Sequence, residues 1–522
     1  MTSNKSRYEI TAEKKTLTFT NNCKILRIEY GQQSQPPTYG YNNGQGHVNS
    51  AVGKNWNKEP RFQDLWATIL FLIQFVGFLA LSYVGIKTIL NKNKLSNSNP
   101  ADDDNDIIKG IKLDTNSIVL LVVAGIFGFF LSLLYMALMQ KFPKPLIKIT
   151  LYLSIATYFI AAAIYGYVGQ IILAVMFAIF GVIYLICAFT WRDRIPFAAI
   201  LLETITTLTK KYYGTIIMGF AGLIVQVGWS IWWALTVIGA FDKFFESSGC
   251  EETTPNNKGI RGFNCKDPYL YIVLLFLVFN FYWTSQVIKT VVHVTDSGVF
   301  ATYYFLDGTA QGVGNSPTLS ALKRACTTSF GSICFGSLII AILNTIKAIL
   351  RSVANSNDDA CGFVAACFAC LLAWIENLVE YFNHYAYVEV AIYGKSYCHA
   401  AKDTWKLIKN RGVEAIINDN LIGNVLTMGA IFIGVLCALF GYGYISLFLK
   451  DMKDNGTLTL ILVVICFILG LMMTIVVTDA IDSGVATTFV ALAEDPDALR
   501  RTKPILFERI RREWPSNHEE LV

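Results

Sequence analysis

TLTLILVVICFILGLMMTIVVT, residues 457–478, decides the fold class of this chain. The stretch contains no charged residue, and as a helix it is long enough to cross a hydrocarbon layer of roughly 30 Å. A helix satisfies every backbone polar group within itself, which an open strand in lipid cannot do. The stretch therefore predicts a transmembrane helix.

Nine further stretches share this apolar character, so the sequence predicts about ten transmembrane helices in all. Their predicted bounds are 65–90, 117–139, 146–167, 170–190, 213–241, 268–292, 329–350, 361–382 and 421–449. The third and fourth stretches are almost fused, which leaves nine spans as the alternative count. The composition agrees, because 54% of the 522 residues are hydrophobic and only 16% are charged, against about a quarter in globular domains. We predict an all-α polytopic membrane protein.

Basic residues mark one side of the predicted bundle. They cluster before the first span, in every second connection and after the last span, which places both termini in the cytoplasm by the positive-inside rule. Residues 1–60 are predicted to be a disordered cytosolic tail, residues 61–482 the transmembrane domain, and residues 483–522 a cytosolic C-terminal tail. The net charge of +5 is too small and dispersed to indicate a nucleic-acid partner.

Two short features lie between the spans. Cys250 and Cys265 fall in a predicted outer loop, an oxidising location, so we predict a disulfide between them. Residues 192–214 have apolar positions at helical spacing between basic ends. This pattern predicts a helix that lies either in the membrane interface or packed on the bundle.

Charged and aromatic residues inside the spans are the candidate functional residues. Glu376 and Glu380 share one helix face, near Trp374, Asn377 and Tyr381. A carboxylate buried in lipid is costly and is expected to face a cavity, where aromatic rings beside it suit a lipophilic cation. The alternative is that Glu380 and the polar residues after it mark the inner interface.

Two other spans contribute candidates. Trp229 and Trp233 are one turn apart in the fifth span and could form further walls of an aromatic cage, with core packing as the alternative. If the sixth span continues to residue 305, it contains His293, a candidate for coupling proton movement to transport. The alternative there is an ion pair between Lys289 and Asp296, with His293 beside it.

The tetrapeptide DSGV occurs twice, at residues 296–299 and 482–485, each time after a span that is predicted to run inward. A parallel internal repeat would explain this recurrence. The sequence contains no HExxH, GxSxG or Walker motif, so we predict neither an enzyme nor a self-contained ATP-driven pump, and we expect no cofactor and no metal site.

Five blocks resemble the choline transporter-like family of solute carriers, the first of them the fungal branch in particular. They are EPRFQDLWATILFLIQFVGF (59–78), SFGSICFGSLIIAI (329–342), WIENLVEYFNHYAYVEVAIYG (374–394), CHAAKDTWKLIKNRGVEAIINDNL (398–421) and VTDAIDSGVATTFVALAEDPD (477–497). The resemblance implies ten spans, cytoplasmic termini, a plasma-membrane location, and transport of choline or a related amine, with protons exchanged in some members. Members of the family carry a Trp and a Glu at the positions of Trp374 and Glu376, so the resemblance adds support for this pair as candidate site residues.

The sequence therefore predicts a secondary transporter or facilitator for choline or a similar small organic cation. Glu376 would supply the counter-charge, and Trp374, Trp229 and Trp233 the cage walls. The alternative function is a non-transporting membrane scaffold or regulator, whose basic segment ERIRREW (508–514) binds partners or anionic lipid.

Overall fold

The computed structural model describes residues 61–96, 115–252, 263–265, 267–309, 312–354, 359–448 and 456–513. The predicted N-terminal tail, residues 1–60, lies outside these described residues. Ten of the described helices are long and apolar enough to cross a membrane, which confirms the predicted count.

The structure describes fourteen α-helices. In chain order they are α1 (Leu65–Ser96), α2 (Thr115–Lys141), α3 (Pro143–Tyr167), α4 (Ile171–Thr190), α5 (Ile195–Lys211), α6 (Gly214–Ser247), α7 (Tyr269–Leu306), α8 (Pro317–Cys326), α9 (Phe330–Ala354), α10 (Asp359–Tyr393), α11 (Tyr397–Phe448), α12 (Gly456–Glu494), α13 (Pro496–Thr502) and α14 (Pro504–Glu513). The candidate spans lie in α1–α4, α6, α7, α9, α10, the second part of α11 (Ile417–Phe448) and α12.

A tight turn separates α3 from α4, the two spans that the sequence left almost fused. Gly169 has a φ of +84°, in the left-handed region that glycine adopts without steric penalty. The amide of Val168 donates to the carbonyl of Ile164 at 3.0 Å and closes the last turn of α3. The chain therefore reverses within three residues, and α3 and α4 pack as an antiparallel pair.

The amphipathic segment forms α5, which packs on the bundle. Its predicted apolar positions Ile195, Ala198, Ala199, Leu202 and Ile205 are all buried, and the helix contacts α2, α3, α11 and α12. Of the two alternatives for this segment, the structure shows packing on the bundle, because four neighbouring helices cover its apolar face.

The last span continues beyond its predicted end. α12 runs through residue 482 to Glu494, and α13 and α14 follow it directly. Thr502 Oγ1 donates to the carbonyl of Tyr304 at 3.1 Å, and Lys503 Nζ lies 2.5 Å from Asp307 Oδ2. These contacts attach the C-terminal helices to the end of α7. The predicted division at residue 482 therefore falls inside a helix, and the division into domains stays a prediction.

Two three-residue strands, β1 (Cys250–Glu252) and β2 (Phe263–Cys265), pair antiparallel between α6 and α7. Their register sets Cys250 directly opposite Cys265. Opposite residues in such a ladder have Cα atoms about 4.5–5.5 Å apart, within the range that a disulfide spans.

The register supports the disulfide prediction, which peptide mapping can test. We expect one linked peptide pair containing Cys250 and Cys265 when the purified protein is digested without reductant, and its loss after reduction. Cys250→Ser should leave one additional thiol that reacts with an alkylating reagent. Two alkylated cysteines at these positions in unreduced wild-type protein would contradict the prediction.

α1 and α6 make a close backbone contact through two glycines. A Cβ atom added to Gly239 would lie 2.1 Å from the carbonyl oxygen and 2.8 Å from the Cα atom of Gly85. Helices in lipid associate through such close packing of small residues, because the apolar solvent supplies no hydrophobic driving force between them. These two glycines therefore set the distance between α1 and α6.

Candidate functional site

A cavity of about 550 Å³ lies between α6, α7 and α12. α6 contributes residues 219–226, α7 residues 282–296 and α12 residues 472–483, while α9 and α10 each contribute one side chain, Asn344 and His384. We call this space the central cavity. Its walls come from helices distant in the sequence, so local sequence patterns alone did not indicate it.

Two glycines of α6 bring the walls of the central cavity together. A Cβ atom on Gly222 would lie 2.5 Å from Val292 Cγ2 of α7, and one on Gly219 would lie 2.8 Å from Val476 Cγ1 of α12. Side chains at these positions would hold the three helices apart. The glycines thus allow α7 and α12 to approach α6 while polar side chains one or two turns away line the cavity.

The central cavity is rich in carboxylates. Asp296, Asp479 and Asp482 line it, and Lys289 is the one lysine among the described residues of its lining. The side chain of Asp296 is 1% exposed, and within the described part of the chain its Oδ1 has no hydrogen-bond partner. Lys289 is already engaged, because its Nζ lies 2.7 Å from Glu380 Oε1. The cavity therefore has more carboxyl groups than basic side chains in its lining, an arrangement that suits a cation.

This geometry corrects one expectation from the sequence. The ion pair predicted between Lys289 and Asp296 does not form among the described residues, since Lys289 pairs with Glu380 of α10 instead. Sequence spacing placed Lys289 and Asp296 on one broad face of α7, but it could not show which neighbouring helix offers a closer carboxylate.

His293 lies at the centre of a hydrogen-bond network in the cavity wall. Its Nε2 lies 3.1 Å from the carbonyl oxygen of His384, and its Nδ1 lies 2.7 Å from Ser483 Oγ. The two imidazole rings stack with their centroids 4.3 Å apart. His384 Nε2 in turn lies 3.5 Å from Asp482 Oδ2. The histidines thereby connect α7, α10 and α12.

Proton counting links this network to the charge of His293. Ser483 Oγ also donates to the carbonyl of Asp479 at 2.9 Å, and a hydroxyl has only one proton to donate. Since the carbonyl of His384 can only accept, His293 Nε2 must donate there. All three hydrogen bonds can coexist only if Nδ1 also carries a proton and donates to Ser483, which would make His293 a cation. A neutral His293 leaves one of the three bonds unformed.

A smaller cavity of about 370 Å³ lies between α11 and α12. α11 lines it with residues 423–431, and α12 lines it with residues that include Ile475, Thr478, Asp479 and Asp482. Ile475, Asp479 and Asp482 also line the central cavity. The carboxylates of Asp479 and Asp482 therefore border both cavities.

The predicted residues of α10 lie elsewhere. Glu376 is 8% exposed and forms an ion pair with Lys347 of α9. Trp374 is 64% exposed on the outside of the bundle, and Asn377 is exposed as well. Tyr381 donates from its hydroxyl to Asp419 Oδ2 of α11 at 2.9 Å. None of these four described residues is part of the central cavity's lining.

The tryptophans of α6 belong to an aromatic cluster with α1 and α7. Trp229 is buried, and its ring centroid lies 4.8 Å from that of Phe78. Trp233 packs on Phe281 with ring centroids 4.6 Å apart and donates from Nε1 to the carbonyl of Leu277 at 2.8 Å. The structure thus separates Trp229 and Trp233 from Trp374 and Glu376. The role predicted for all four in substrate binding remains a prediction.

The pair between Lys347 and Glu376 gives a test of that role. Both side chains are largely buried, with exposed fractions of 14% and 11%, and removing one partner leaves an unpaired charge in a poorly hydrated place. We expect Lys347→Met or Glu376→Gln alone to lower the free energy of unfolding by about 3 kcal/mol. The double variant should recover most of the loss, measured by thermal unfolding in detergent. If Glu376→Gln abolished uptake without loss of stability, a substrate contact would be favoured instead.

A second ion cluster lies at the junction of α10 and α11. Lys395 Nζ lies 2.8 Å from both Glu389 Oε2 and Asp403 Oδ2, and Glu389 is fully buried. Burial alone would lower the pKa of Lys395, but the charge of Glu389 and the hydrogen bonds to both carboxylates outweigh it and raise that pKa. The ammonium group is therefore held in its charged form, and it fixes the turn between the two helices.

Asp479 and Asp482 were not among the residues singled out as candidate site residues. Their signal is present in the sequence, because they closely follow the apolar stretch 457–478 at i and i+3, on one face of the same helix. The second DSGV begins at Asp482 and the first at Asp296, and both aspartates reach the central cavity. The repeated tetrapeptide was thus a better guide to this cavity than the cluster around Trp374.

A ten-span bundle with a charged cavity between its helices has the architecture of a polytopic solute transporter. The chain belongs to the plasma-membrane choline transporter family, which matches residues 175–497. It is 36% identical to Protein PNS1 of Mycosarcoma maydis over 89% of this chain and 85% of that protein. It is 34% identical to Protein PNS1 of Cryptococcus neoformans (90% and 85%) and 31% identical to Protein pns1 of Aspergillus fumigatus (95% and 91%). These relatives agree with the resemblance to fungal members of the family.

Proposed function

We propose that this protein is a secondary carrier or facilitator for choline or a related small organic cation, acting in the plasma membrane. One observation carries the proposal: three carboxylates line the central cavity, while its single lysine is paired with Glu380. A cation that enters this cavity is attracted by these three carboxylates, because the lysine of the cavity is paired with Glu380 instead. An anion or a zwitterion with a buried carboxylate would be repelled.

The walls suit an ammonium group with methyl substituents. Such a group donates no conventional N–H hydrogen bond, so it depends on counter-charge and on ring faces. The cavity offers Asp479 and Asp482 as counter-charges and Tyr282 and His384 as ring faces, and Gln226 and Ser285 as partners for a hydroxyl group. We therefore place the substrate among these residues. The aromatic cage predicted around Glu376 is a separate hypothesis, because its members lie outside this cavity.

Proton coupling through His293 is part of the proposal. The hydrogen bonds among His293, Ser483 and the Asp479 carbonyl are all formed only when His293 is protonated. A substrate cation bound beside Asp482 would repel that charge and favour release of the proton. This opposition supports exchange of the organic cation against a proton.

The other parts of the proposal concern topology and reaction class. Lys141, Lys144, Arg192, Lys210 and Lys211 lie at the ends of α2, α3, α4 and α5 that share one side of the bundle, which supports cytoplasmic termini. We propose no enzymatic activity. His293 Nε2 contacts a backbone carbonyl instead of a carboxylate, so the contact with Ser483 lacks the acidic partner of a hydrolytic triad.

Uptake of labelled choline into proteoliposomes tests the proposal. We expect saturable uptake by the purified protein that exceeds uptake by empty liposomes and that rises with an outward-directed proton gradient. Unlabelled choline and ethanolamine should compete, and an anion of similar size should not. If monodisperse protein showed no uptake with or without the gradient, the scaffold function would be favoured. Deletion of both termini then tests that function, because a scaffold should lose its cellular phenotype without them.

A further inference from the structure

A third cavity, of about 390 Å³, lies at the ends of α2 and α3 and shares no lining residue with the central cavity. Lys141 and Lys144 border it from the connection between those helices, and Arg509 and Arg512 border it from α14. The acidic residues in its lining are Glu203 of α5 and Glu513. We call this cavity the basic recess, because four cationic side chains face two carboxylates.

The positive charge of the basic recess is only partly compensated. Arg509 is engaged, since its guanidinium nitrogen lies 3.0 Å from Glu203 Oε2. Among the residues that the structure describes, Lys144 and Arg512 have no ion-pair partner. α3 begins at Pro143 without a side-chain cap, so the positive end of its dipole adds to the field of the recess. Although Glu203 and Glu513 offset part of this charge, the unpaired cationic groups favour a ligand with several negative charges.

The position of the basic recess indicates where such a ligand comes from. Lys141 is the last residue of the second span, and Pro143 is the first of the third. The recess therefore lies at the boundary of the hydrocarbon layer, on the predicted cytoplasmic side. Phe142, which is 46% exposed, lines it as well. Phosphate groups beside an apolar rim are the environment of a phospholipid headgroup, and basic residues at span ends attract anionic headgroups in that leaflet.

We propose that the basic recess binds the headgroup of an anionic phospholipid that carries more than one phosphate, as phosphoinositides do. Guanidinium and ammonium groups from two separate segments can each contact a different phosphate, and the fork of Arg512 can bind one in a bidentate manner. A bound headgroup bridges the connection between α2 and α3 to α14. It thereby holds the C-terminal helices, which also contact the end of α7 through Thr502 and Lys503.

Binding of dioctanoyl phosphatidylinositol 4,5-bisphosphate to the purified full-length protein in detergent tests this proposal. We expect saturable binding and a higher melting temperature at saturation, because the ligand binds the folded state. The double variant Lys144→Gln, Arg512→Gln should lose about tenfold or more in affinity. The matched control Lys148→Gln, Arg511→Gln removes the same charge from the same two helices outside the recess. Its affinity should stay within about twofold of the wild type.

Two competition experiments distinguish a lipid headgroup from soluble phosphate compounds as the ligand. We expect inositol 1,4,5-trisphosphate to compete more weakly than the lipid and inorganic phosphate to compete hardly at all. Three results would each overturn the proposal: no saturable binding to folded wild-type protein, an equal loss of affinity in the control variant, or equal affinity for inositol trisphosphate and the lipid. The last result would assign the recess to a soluble phosphate ester.

Discussion

Replacement of Asp482 by Asn is expected to raise the concentration of choline that gives half-maximal uptake by about 30-fold or more. The carboxylate of Asp482 lines the central cavity and lies beside His384. Loss of one charged partner of a desolvated pair costs about 2–5 kcal/mol, and each 1.4 kcal/mol corresponds to about tenfold in affinity. Asn keeps the size of the side chain and one acceptor oxygen, so the main change is the loss of the charge. The measurement is the initial rate of labelled choline uptake into proteoliposomes.

Asp193→Asn is the matched control for this substitution. Asp193 is an exposed aspartate in the connection between α4 and α5, outside the cavity lining, and its replacement should leave uptake unchanged. If the Asp482 and Asp193 variants transported choline equally well, the central cavity would not be where the cation binds. Glu376→Gln in the same assay then decides whether the predicted cage on α10 takes that role.

Gly239→Ala is expected to cause a large loss of stability through a single added methyl group. The new Cβ atom would lie 2.1 Å from the carbonyl oxygen of Gly85, and this neighbour is backbone that cannot rotate away. α1 and α6 must move apart, which we expect to lower the free energy of unfolding by on the order of 3 kcal/mol or more. Thermal unfolding in detergent, followed by size-exclusion chromatography, measures this loss.

Gly228→Ala provides the comparison within the same helix. Nothing lies within 4 Å of a Cβ atom at Gly228, so the added methyl group should be neutral, or stabilising by up to about 1 kcal/mol through helix propensity. Equal melting temperatures for the two variants would show that the contact between α1 and α6 tolerates separation. A large loss in both would indicate a general requirement for glycine in α6.

The sequence predicted the spans well, because their signal is local. Each span is a run of apolar residues whose helical state follows from the absence of water around its backbone. The span 457–478 could therefore be predicted without knowing which helices pack against it. The α3–α4 pair was the hardest case, and a single glycine in the left-handed region resolves it. The face of α5 was also predictable, since periodicity identifies an apolar face before its partners are known.

The site was less predictable, because it depends on which helices are neighbours. Glu376 was identified as a buried carboxylate, and it is one. Its partner Lys347 lies 29 positions earlier, in another helix. Nothing in the pattern around Trp374 indicated that this residue faces away from the bundle. Asp479 is hard to predict for the opposite reason: it directly follows the apolar stretch 457–478, whose composition indicates a span and no site.

Two aspartates that border two cavities make those cavities thermodynamically dependent on each other. A cation in the central cavity interacts with the same carboxylates, Asp479 and Asp482, as a cation in the cavity between α11 and α12 would. Occupancy of one cavity must weaken binding of a like charge in the other, and the effect is equal in both directions. α12 therefore couples the two cavities electrostatically, and this coupling requires no movement of the helix.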